Sequence, residues 1–285
     1  MELFYWLMVE LTCKKVLAIF NLKDDDQILG FLRGCKYSLE RTKEKIDFHF
    51  TMRTLVPEFF HIRDPFAPEV QEILNAGVIL PLPKPENQYG ARVILWVFDN
   101  TNPDTMPYIN LIVVFNMILD VIVIEDDDAM VNGVIICSDV RNISAKYVIQ
   151  MTPALVKKHL KCMEEAYPLR IKRAYVANCP SYFEFVCNLV KSFAKFKLAQ
   201  RLSVFSDMKN FYNEFPQSTL PKEYGGENGS VETIKVEWKN KIESYRDWFL
   251  ENRRYQSEES LRCGEAKTSE NVFGVKGSFR KLDVD

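Results

Sequence analysis

The chain has 285 residues, of which 47% are hydrophobic and 13% aromatic, and its formal net charge at pH 7 is −2. This length predicts one sizeable domain beside a smaller one, with enough apolar residues for a large core. The near-neutral charge argues against a nucleic-acid partner, so any basic patch must be local.

The chain begins with an apolar stretch, residues 1–9, which is too short to span a bilayer and has no basic flank or cleavage pattern. We interpret it as an apolar helix or a misplaced start rather than a signal peptide. Residues 24–75 carry apolar side chains at helical spacing and predict a helical region. The proline-rich stretch 81–85 predicts an extended connector after an N-terminal helical domain, 1–80.

Beyond the connector, short apolar runs alternate with helical patterns, which predicts an α/β domain over residues 81–255 with mostly parallel strands. Continuous apolar runs indicate strands that are buried on both faces. The polar residues 256–285 predict a loosely held C-terminal tail. The predicted strands are 93–98, 133–137, 171–177 and 202–205, and the predicted helices are 108–124, 153–167, 183–193 and 230–255.

The sequence has no recognisable catalytic or metal-binding motif. Its three histidines, His49, His61 and His159, have no metal-binding spacing, and no nucleophile elbow, Walker loop or dinucleotide fingerprint occurs. His159 lies on the apolar side of a predicted helix, where a packed or cavity-lining imidazole is expected. The acidic triplets 24–26 and 126–128 do not match an EF-hand and fit helix capping and solvated turns. We therefore predict no enzyme activity, no catalytic residue and no metal site.

Seven cysteines are scattered along the chain, and no Cys-x-x-Cys pair occurs. An odd number at irregular spacing predicts free thiols in a reducing compartment, and therefore a cytoplasmic protein. The cysteines lie at positions 13, 35, 137, 162, 179, 187 and 263.

The most informative motif is LPKEYGGENGS, residues 220–230. Its glycine pair, Gly225 and Gly226, permits a sharp reversal after a strand, and Ser230 is placed to cap the helix that follows. These residues alone predict a turn and a helix start, and their glycine spacing is weak evidence for phosphate binding. The full string, however, resembles the closing motif of the CRAL-TRIO lipid-binding family.

Further motifs extend this resemblance, in the family's order, over residues 22–255. The string DDQILGFLRGCKYSLE, residues 25–40, resembles the family's opening motif, and residues 150–153, 166–172 and 178–183 lie at family-like positions. The chain is most similar to the tocopherol-transfer-like and clavesin-like branch. The resemblance implies an α/β CRAL-TRIO fold: a small N-terminal helical domain, then a mostly parallel β-sheet flanked by helices, with a gated hydrophobic cavity.

The resemblance implies that residues 181–197 form a gate over a cavity for a tocopherol-, retinoid- or other lipid-like ligand, with no other cofactor. Periodicity alone favours an ordinary core-facing helix for this segment. By positional match, the ligand-binding residues are Val113, Asn116, Met117, Asp120, Met151, Leu155, Cys162, Leu169, Ile171, Phe183, Val186, Cys187 and Val190.

Two of these residues are polar and one helical turn apart. Asn116 and Asp120 either bind a ligand hydroxyl or carbonyl, directly or through water, or Asp120 caps or pairs with a neighbouring strand. The sequence leaves both interpretations open.

The family's phosphoinositide headgroup site has four matching positions here, and all four are basic: Arg170, Lys172, Lys197 and Arg201. Clusters of Lys and Arg bind phosphates through charge and bidentate hydrogen bonds. Without the resemblance, scattered solvated charges would be the default interpretation. Cys35 stands where the family often has a second basic residue, which leaves an N-terminal contribution to this site open.

The resemblance therefore implies a monomeric carrier that extracts a hydrophobic ligand from one membrane and releases it at another. Its partners would be the small-molecule ligand and a phosphoinositide-containing membrane, which it contacts transiently from the cytoplasm. The alternative is a regulatory module that senses phosphoinositide without net lipid transfer.

Overall fold

The computed structural model describes residues 25–83, 90–262 and 264–274. At its centre is a five-stranded sheet whose strands lie side by side in chain order. The first pair is antiparallel and the other three pairs are parallel, as the alternation of strands and helices predicts. The strands are β1 (Ile79–Pro81), β2 (Arg92–Val97), β3 (Val134–Asp139), β4 (Ile171–Ala177) and β5 (Leu202–Val204).

Helices precede the sheet, connect its parallel strands and follow it. In chain order they are α1 (Asp25–Gly34), α2 (Leu39–Leu55), α3 (Pro68–Ala76), α4 (Tyr108–Glu125), α5 (Asp127–Asn132), α6 (Ala145–Gln150), α7 (Pro153–Lys161), α8 (Glu184–Phe193), α9 (Phe196–Ala199), α10 (Met208–Glu214), α11 (Val231–Ser244), α12 (Arg246–Asn252) and α13 (Ser269–Phe273).

Helix α4 is the central helix of the core and confirms the predicted helix 108–124. By length and composition it could cross a membrane, but 72% of it is buried inside the protein. It contacts both α1 and α3, so the N-terminal helices and the sheet share one core. Two polar residues of α4, Asn116 and Asp120, are fully buried within this core.

Both faces of the inner strands β2 and β3 are largely buried, which is why each contains a continuous apolar run. Side chains alternate along a strand, so neighbouring residues enter different clusters. Leu95 and Cys137 pack on one face against α10, whereas Ile94 and Trp96 pack on the other face against α4.

The closing motif, residues 220–230, differs from the predicted end of a strand, because short 3₁₀ turns precede the glycines. Gly225 has a positive φ of 74°. A Cβ on Gly226 would lie 1.9 Å from the carbonyl oxygen of Leu220, so that position has no room for a side chain. Ser230 caps α11 as predicted, accepting a hydrogen bond of 3.1 Å from the amide of Thr233.

Two predicted helices are shorter than their patterns indicate. Helix α7 ends at Lys161, and the next residues, Cys162–Ala166, form a π turn that leads into β4. The predicted helix 230–255 is divided at Tyr245 into α11 and α12. Amphipathic spacing continues through both breaks, so periodicity could not reveal them.

The prediction of a loosely held C-terminal tail is wrong for its described part. Arg262 approaches Asp47 of α2 to 2.8 Å, and the Ser257 amide donates a 3.0 Å hydrogen bond to Thr54. Phe273 is buried. The predicted boundary at residue 80 falls inside β1. The interpretation of residues 1–9 concerns a segment outside the described residues.

Candidate ligand cavity and basic pocket

An apolar cavity of about 190 Å³ lies between the α4 face of the sheet and the layer formed by α7 and α8. Each of the strands β2 to β5 contributes to its wall. The lining residues are Trp96, Phe98, Tyr108, Phe115, Ile136, Ser138, Val140, Met151, Val156, His159, Leu160, Met163, Ile171, Ala174, Val176, Phe183, Val186, Cys187, Val190, Leu198 and Leu202.

Helix α8, at the centre of the predicted gate segment 181–197, forms part of the wall of this cavity. Val186 and Cys187 are buried and line the cavity. Phe185 on the same helix is 58% exposed, and Phe196 just after it is 76% exposed. Helix α8 therefore has apolar side chains on its cavity side and on its outer side, which an ordinary core-facing helix does not need.

His159 on α7 is a polar group in the cavity wall, as the sequence interpretation allows. Its imidazole contacts the rings of Phe59, Tyr108 and Phe115 edge-on, with centroids 6.1 to 6.5 Å apart. Its Nε2 atom is buried and has no hydrogen-bond partner among the described residues. Burial lowers the pKa of His159 to about 4, so the imidazole is neutral at pH 7. The unpaired ring nitrogen of a neutral imidazole can donate or accept one hydrogen bond to or from a ligand, according to its tautomer.

Of the thirteen residues predicted to bind the ligand, six line this cavity: Met151, Ile171, Phe183, Val186, Cys187 and Val190. The remaining seven lie elsewhere. Helix α4 presents Tyr108 and Phe115 to the cavity instead of its predicted residues. The resemblance identified the helix, but a helix that is apolar on all sides does not reveal which side lines a cavity. The seven predicted residues that lie outside the cavity wall are Val113, Asn116, Met117, Asp120, Leu155, Cys162 and Leu169.

The two polar residues among these seven have partners within the protein. Asn116 donates a hydrogen bond of 3.3 Å to the carbonyl oxygen of Phe59. Asp120 lies 2.7 Å from Arg63 and 3.6 Å from Arg53. Asp120 is therefore an ion-pair partner rather than a cavity group, and its partners are arginines from the N-terminal region rather than a neighbouring strand.

A second, larger pocket, of about 640 Å³, lies beside the start of β4 and is strongly basic. Three of the four predicted headgroup residues line it, namely Arg170, Lys197 and Arg201. Arg201 donates a hydrogen bond of 2.7 Å to the carbonyl oxygen of Ile171, which fixes its guanidinium. The fourth residue, Lys172, is exposed and lies outside the pocket lining.

Sequence reasoning missed four further basic residues in this pocket: Lys36, Arg41, Lys45 and Lys195. Lys36 lies in the connection between α1 and α2, and Arg41 and Lys45 lie on α2. Lys45 donates to the carbonyl oxygens of Glu164 and Tyr167 at 2.6 and 2.9 Å. Burial lowers the pKa of Lys45 to about 8. The residues 25–40 include Lys36, but a positive residue near a turn usually indicates only a solvated surface.

The apolar cavity and the basic pocket have a common wall. Met163, Ile171 and Leu198 line both of them. A charged group bound in the basic pocket would therefore lie one side-chain layer away from an apolar ligand in the cavity.

The acidic triplet 126–128 contributes a helix cap, as predicted from capping preferences. Asp126 accepts a hydrogen bond of 2.8 Å from the Ala129 amide at the start of α5, and it lies 2.6 Å from Arg92. Among residues 25–83, 90–262 and 264–274, no group of three or more His, Cys, Asp or Glu side chains could hold a metal ion.

Four of the described cysteines, Cys35, Cys162, Cys179 and Cys187, are free thiols and buried, in agreement with the expectation from sequence. Cys137 is buried as well. The prediction for Cys13 and Cys263 lies outside the described residues.

The match to a family model agrees with the sequence resemblance. Residues 76–226, more than half of the chain, match the CRAL/TRIO domain, and residues 13–70 match a Pinta-like UBA domain. The chain therefore belongs to the CRAL/TRIO family, whose members bind and transfer lipids. The predicted family and the predicted fold class are both confirmed.

Individual relatives are similar over about three quarters of the chain. The human protein "Alpha-tocopherol transfer protein-like" is 29% identical over 211 residues, which cover 74% of this chain and 60% of that protein. Clavesin-1 of Rattus norvegicus is 25% identical over 208 residues, covering 73% of this chain and 58% of that protein. The chain thus spans about 60% of the length of these relatives. The crystal structure of Sfh5 has a TM-score of 0.51 at 15% identity, covering 84% and 83% of the two chains, and shares the fold.

Proposed function

We propose that the protein carries a small hydrophobic ligand, tocopherol-, retinoid- or otherwise lipid-like, between membranes, and that phosphoinositide assists its release. The observation that supports this proposal most directly is the common wall, Met163, Ile171 and Leu198, between the apolar cavity and the basic pocket. The protein would act as a cytoplasmic monomer with transient membrane contact. It would need no cofactor, make or break no bond, and bind no nucleic acid.

The cavity favours a ligand with an apolar body and one hydrogen-bonding group. Enclosing an apolar molecule gains about 25 cal/mol for each Å² removed from water, so a carrier cavity must surround its ligand. His159 Nε2 is a buried polar atom without a protein partner in this wall, and a ligand hydroxyl or carbonyl would supply one. This role replaces the one that the sequence suggested for Asn116 and Asp120.

The basic pocket would act on the gate through Lys195, which follows α8. The Lys195 amide donates a hydrogen bond of 3.0 Å to Glu164, and its ammonium lies 3.0 Å from Glu165. These contacts attach the end of the gate to the π turn Cys162–Ala166. A phosphate group would compete with Glu165 for the ammonium and so weaken this attachment.

The outer side of the gate would meet the membrane. Phe185, Phe193 and Phe196 are exposed, and Phe196 directly precedes the basic residue Lys197. Aromatic side chains next to lysines suit the boundary between lipid headgroups and acyl chains. Headgroup binding and insertion of these rings would therefore favour the same open gate.

A transfer assay tests this proposal. Donor vesicles of phosphatidylcholine carry a fluorescent tocopherol analogue, and acceptor vesicles contain or lack phosphatidylinositol bisphosphate. We expect the protein to accelerate transfer, and bisphosphate in the acceptors to increase the rate severalfold. Lys195→Met should remove this increase, whereas Lys191→Met should keep it, because Lys191 is exposed on α8 and lines neither pocket.

The alternative, a phosphoinositide-sensing regulatory module, is favoured by one observation: the basic pocket, about 640 Å³, exceeds the cavity, about 190 Å³. A sensor would bind bisphosphate vesicles without accelerating transfer of tocopherol, retinoid or phospholipid analogues. For headgroup binding itself, Lys197→Ala should weaken vesicle binding more than Lys172→Ala, because Lys197 alone of the two lines the pocket. Equal effects would indicate nonspecific attraction to the membrane.

A further inference from the structure

A third pocket, of about 310 Å³, lies where the N-terminal helices meet the segment after α12. It has no lining residue in common with the apolar cavity or the basic pocket. Its lining residues are Arg53, Pro57, Phe60, His61, Arg63, Arg253 and Gln256.

Positive charge in this pocket exceeds negative charge. Arg53 is 4% exposed and Arg63 is 2% exposed, so both guanidiniums are removed from water. Among the described residues, the only carboxylate within 4 Å of either one is Asp120, which both arginines share. Two buried positive charges thus face one negative charge, and Arg253 adds a further positive charge at the mouth. Burying a charge without a counter-charge is strongly unfavourable, which favours a site that takes up an anion.

Unused hydrogen-bond donors lie on the same two side chains. Arg53 uses Nη1 to donate 2.9 Å to the carbonyl oxygen of Asn252, and Arg63 uses Nη2 to donate to Asp120. The Nε and Nη2 atoms of Arg53 and the Nε and Nη1 atoms of Arg63 are buried without a hydrogen-bond partner among the described residues. Buried donors are normally satisfied, and Arg53 Nη2 has only its ion-pair contact of 3.6 Å with Asp120, so both guanidiniums can donate to a further acceptor.

Aromatic rings hold the guanidiniums in place. Arg53 lies over Phe50 and Phe60, with distances to the ring centroids of 5.3 and 5.6 Å. Arg63 lies 4.7 Å from the centroid of the Phe249 ring. The planes of both guanidiniums are therefore fixed before any ligand arrives, and less conformational entropy is lost on binding.

We propose that this pocket binds a small oxyanion, either free phosphate or the phosphate of a phosphomonoester. A tetrahedral oxyanion has several acceptor atoms and can bridge two guanidinium forks, whereas a single water has only two lone pairs. Burial and the neighbouring Arg63 already lower the pKa of Arg53 to about 10, and an anion would relieve this repulsion. The anion would connect α2, α4 and α12 through Arg53, Arg63 and their partners Asp120 and Asn252.

Titration of the full-length chain with inorganic phosphate tests this site. The Nε–H resonances of Arg53 and Arg63 in a ¹⁵N NMR spectrum report directly on two of the unpaired donors. We expect saturable shifts of both resonances. Sodium chloride at equal ionic strength should not reproduce them. Resonances that move with none of inorganic phosphate, glycerol phosphate and phosphatidic acid vesicles, or the same shifts with chloride, would overturn the proposal.

Two adjacent arginines provide a matched pair of variants. Arg253 lines the pocket, whereas Arg254 pairs with Glu251 and lies outside the pocket lining. We expect Arg253→Gln to raise the Kd for phosphate about fivefold and Arg254→Gln to change it less than twofold. Equal effects would mean general charge screening and no site. Both positions are exposed, so neither change should prevent folding.

The source of the phosphate is decided by comparing soluble and membrane ligands. If inorganic phosphate or glycerol phosphate alone saturates the shifts, the natural ligand of the pocket is soluble. Shifts that require phosphatidylcholine vesicles with phosphatidic acid assign a lipid headgroup. The proposal is independent of the carrier function, because Arg253→Gln should leave tocopherol transfer unchanged, and failure of lipid transfer would not affect the phosphate titration.

Discussion

The two faces of the central sheet are built from alternate residues of the same strands and differ in how completely they are filled. On the face covered by α10, Phe211 and Phe215 stack with ring centroids 5.2 Å apart, and Tyr175 meets both rings at 5.6 Å. On the other face, Val186 and Cys187 of α8 face a cavity. Stacked rings fill one face, whereas the side chains on the other face leave a cavity of about 190 Å³.

The buried polar groups differ in the same way. On the α10 face, the Tyr224 hydroxyl donates a hydrogen bond of 3.0 Å to Asp139, which also accepts one of 2.7 Å from Arg141. On the cavity face, His159 Nε2 has no partner among the described residues. A network in which every polar group is hydrogen-bonded holds its side chains in one arrangement. A buried polar group without a partner in a cavity gains its hydrogen bond only when a ligand or a water binds there. One face therefore stabilises the fold and the other is available for a ligand.

The largest expected effect is on the filled face. Phe215→Ala removes a fully buried ring from the stack with Phe211 and leaves a hole that the rigid sheet cannot close. We expect a loss of about 3–5 kcal/mol in the free energy of unfolding, measured by urea denaturation. Phe183→Ala on the cavity wall should cost less, because space already exists beside it. Equal losses would mean that the two faces are packed alike.

The second effect is the pH dependence of stability caused by His159. Its pKa is about 4 in the folded protein and about 6.5 in an unfolded chain, so between these values the unfolded state binds more protons. Stability should therefore fall as the pH drops from 6.5 to 4, by up to about 3 kcal/mol for this group. His159→Leu should flatten the curve in this window. Met163→Leu, also on the cavity wall, should keep the original slope.

His49 contributes to the same slope, because burial places its pKa well below its ordinary value. The His159→Leu curve should therefore be flatter than that of the natural sequence without becoming level. An unchanged slope in His159→Leu would show that the imidazole is protonated at little cost, and the cavity would then be wet.

The third effect concerns ligand retention. Val190→Asp places a charge between the gate and the cavity, whereas Asn188→Asp places the same charge on the exposed side of α8. We expect a tocopherol analogue to leave the Val190→Asp protein at least tenfold faster, and the Asn188→Asp protein at the natural rate. Fluorescence of the bound analogue during dilution measures both rates. Normal retention by a folded Val190→Asp protein would exclude α8 as the gate.

The sequence predicted the strands, the core helix and the family, because these depend on long apolar runs and on ordered motifs. On the amphipathic helix α8 it predicted the cavity residues Val186, Cys187 and Val190 correctly. Helix α4 is apolar on all sides, so the sequence could not distinguish Phe115, which lines the cavity, from Val113, which does not. The basic pocket combines Lys36 and Arg41 with Lys197, and only the tertiary structure brings these residues together.

The smallest effect compares one thiol from each face and needs no change to the chain. Cys187 lies in the cavity wall beside the gate, and Cys137 lies in the filled cluster on the opposite face. Both thiols are buried, and both should react slowly with a maleimide when ligand is bound. Removing the ligand, or adding phosphoinositide vesicles, should speed the reaction of Cys187 severalfold and leave that of Cys137 unchanged.

Burial raises the pKa of Cys187 to about 12, so a faster reaction would show that water reaches the thiol. Cys162, predicted from sequence to share this behaviour, lies outside the cavity wall and should follow Cys137. Mass spectrometry of labelled peptides separates the three sites, and equal rates at Cys187 and Cys137 in all states would mean that the cavity face opens no more readily than the filled one.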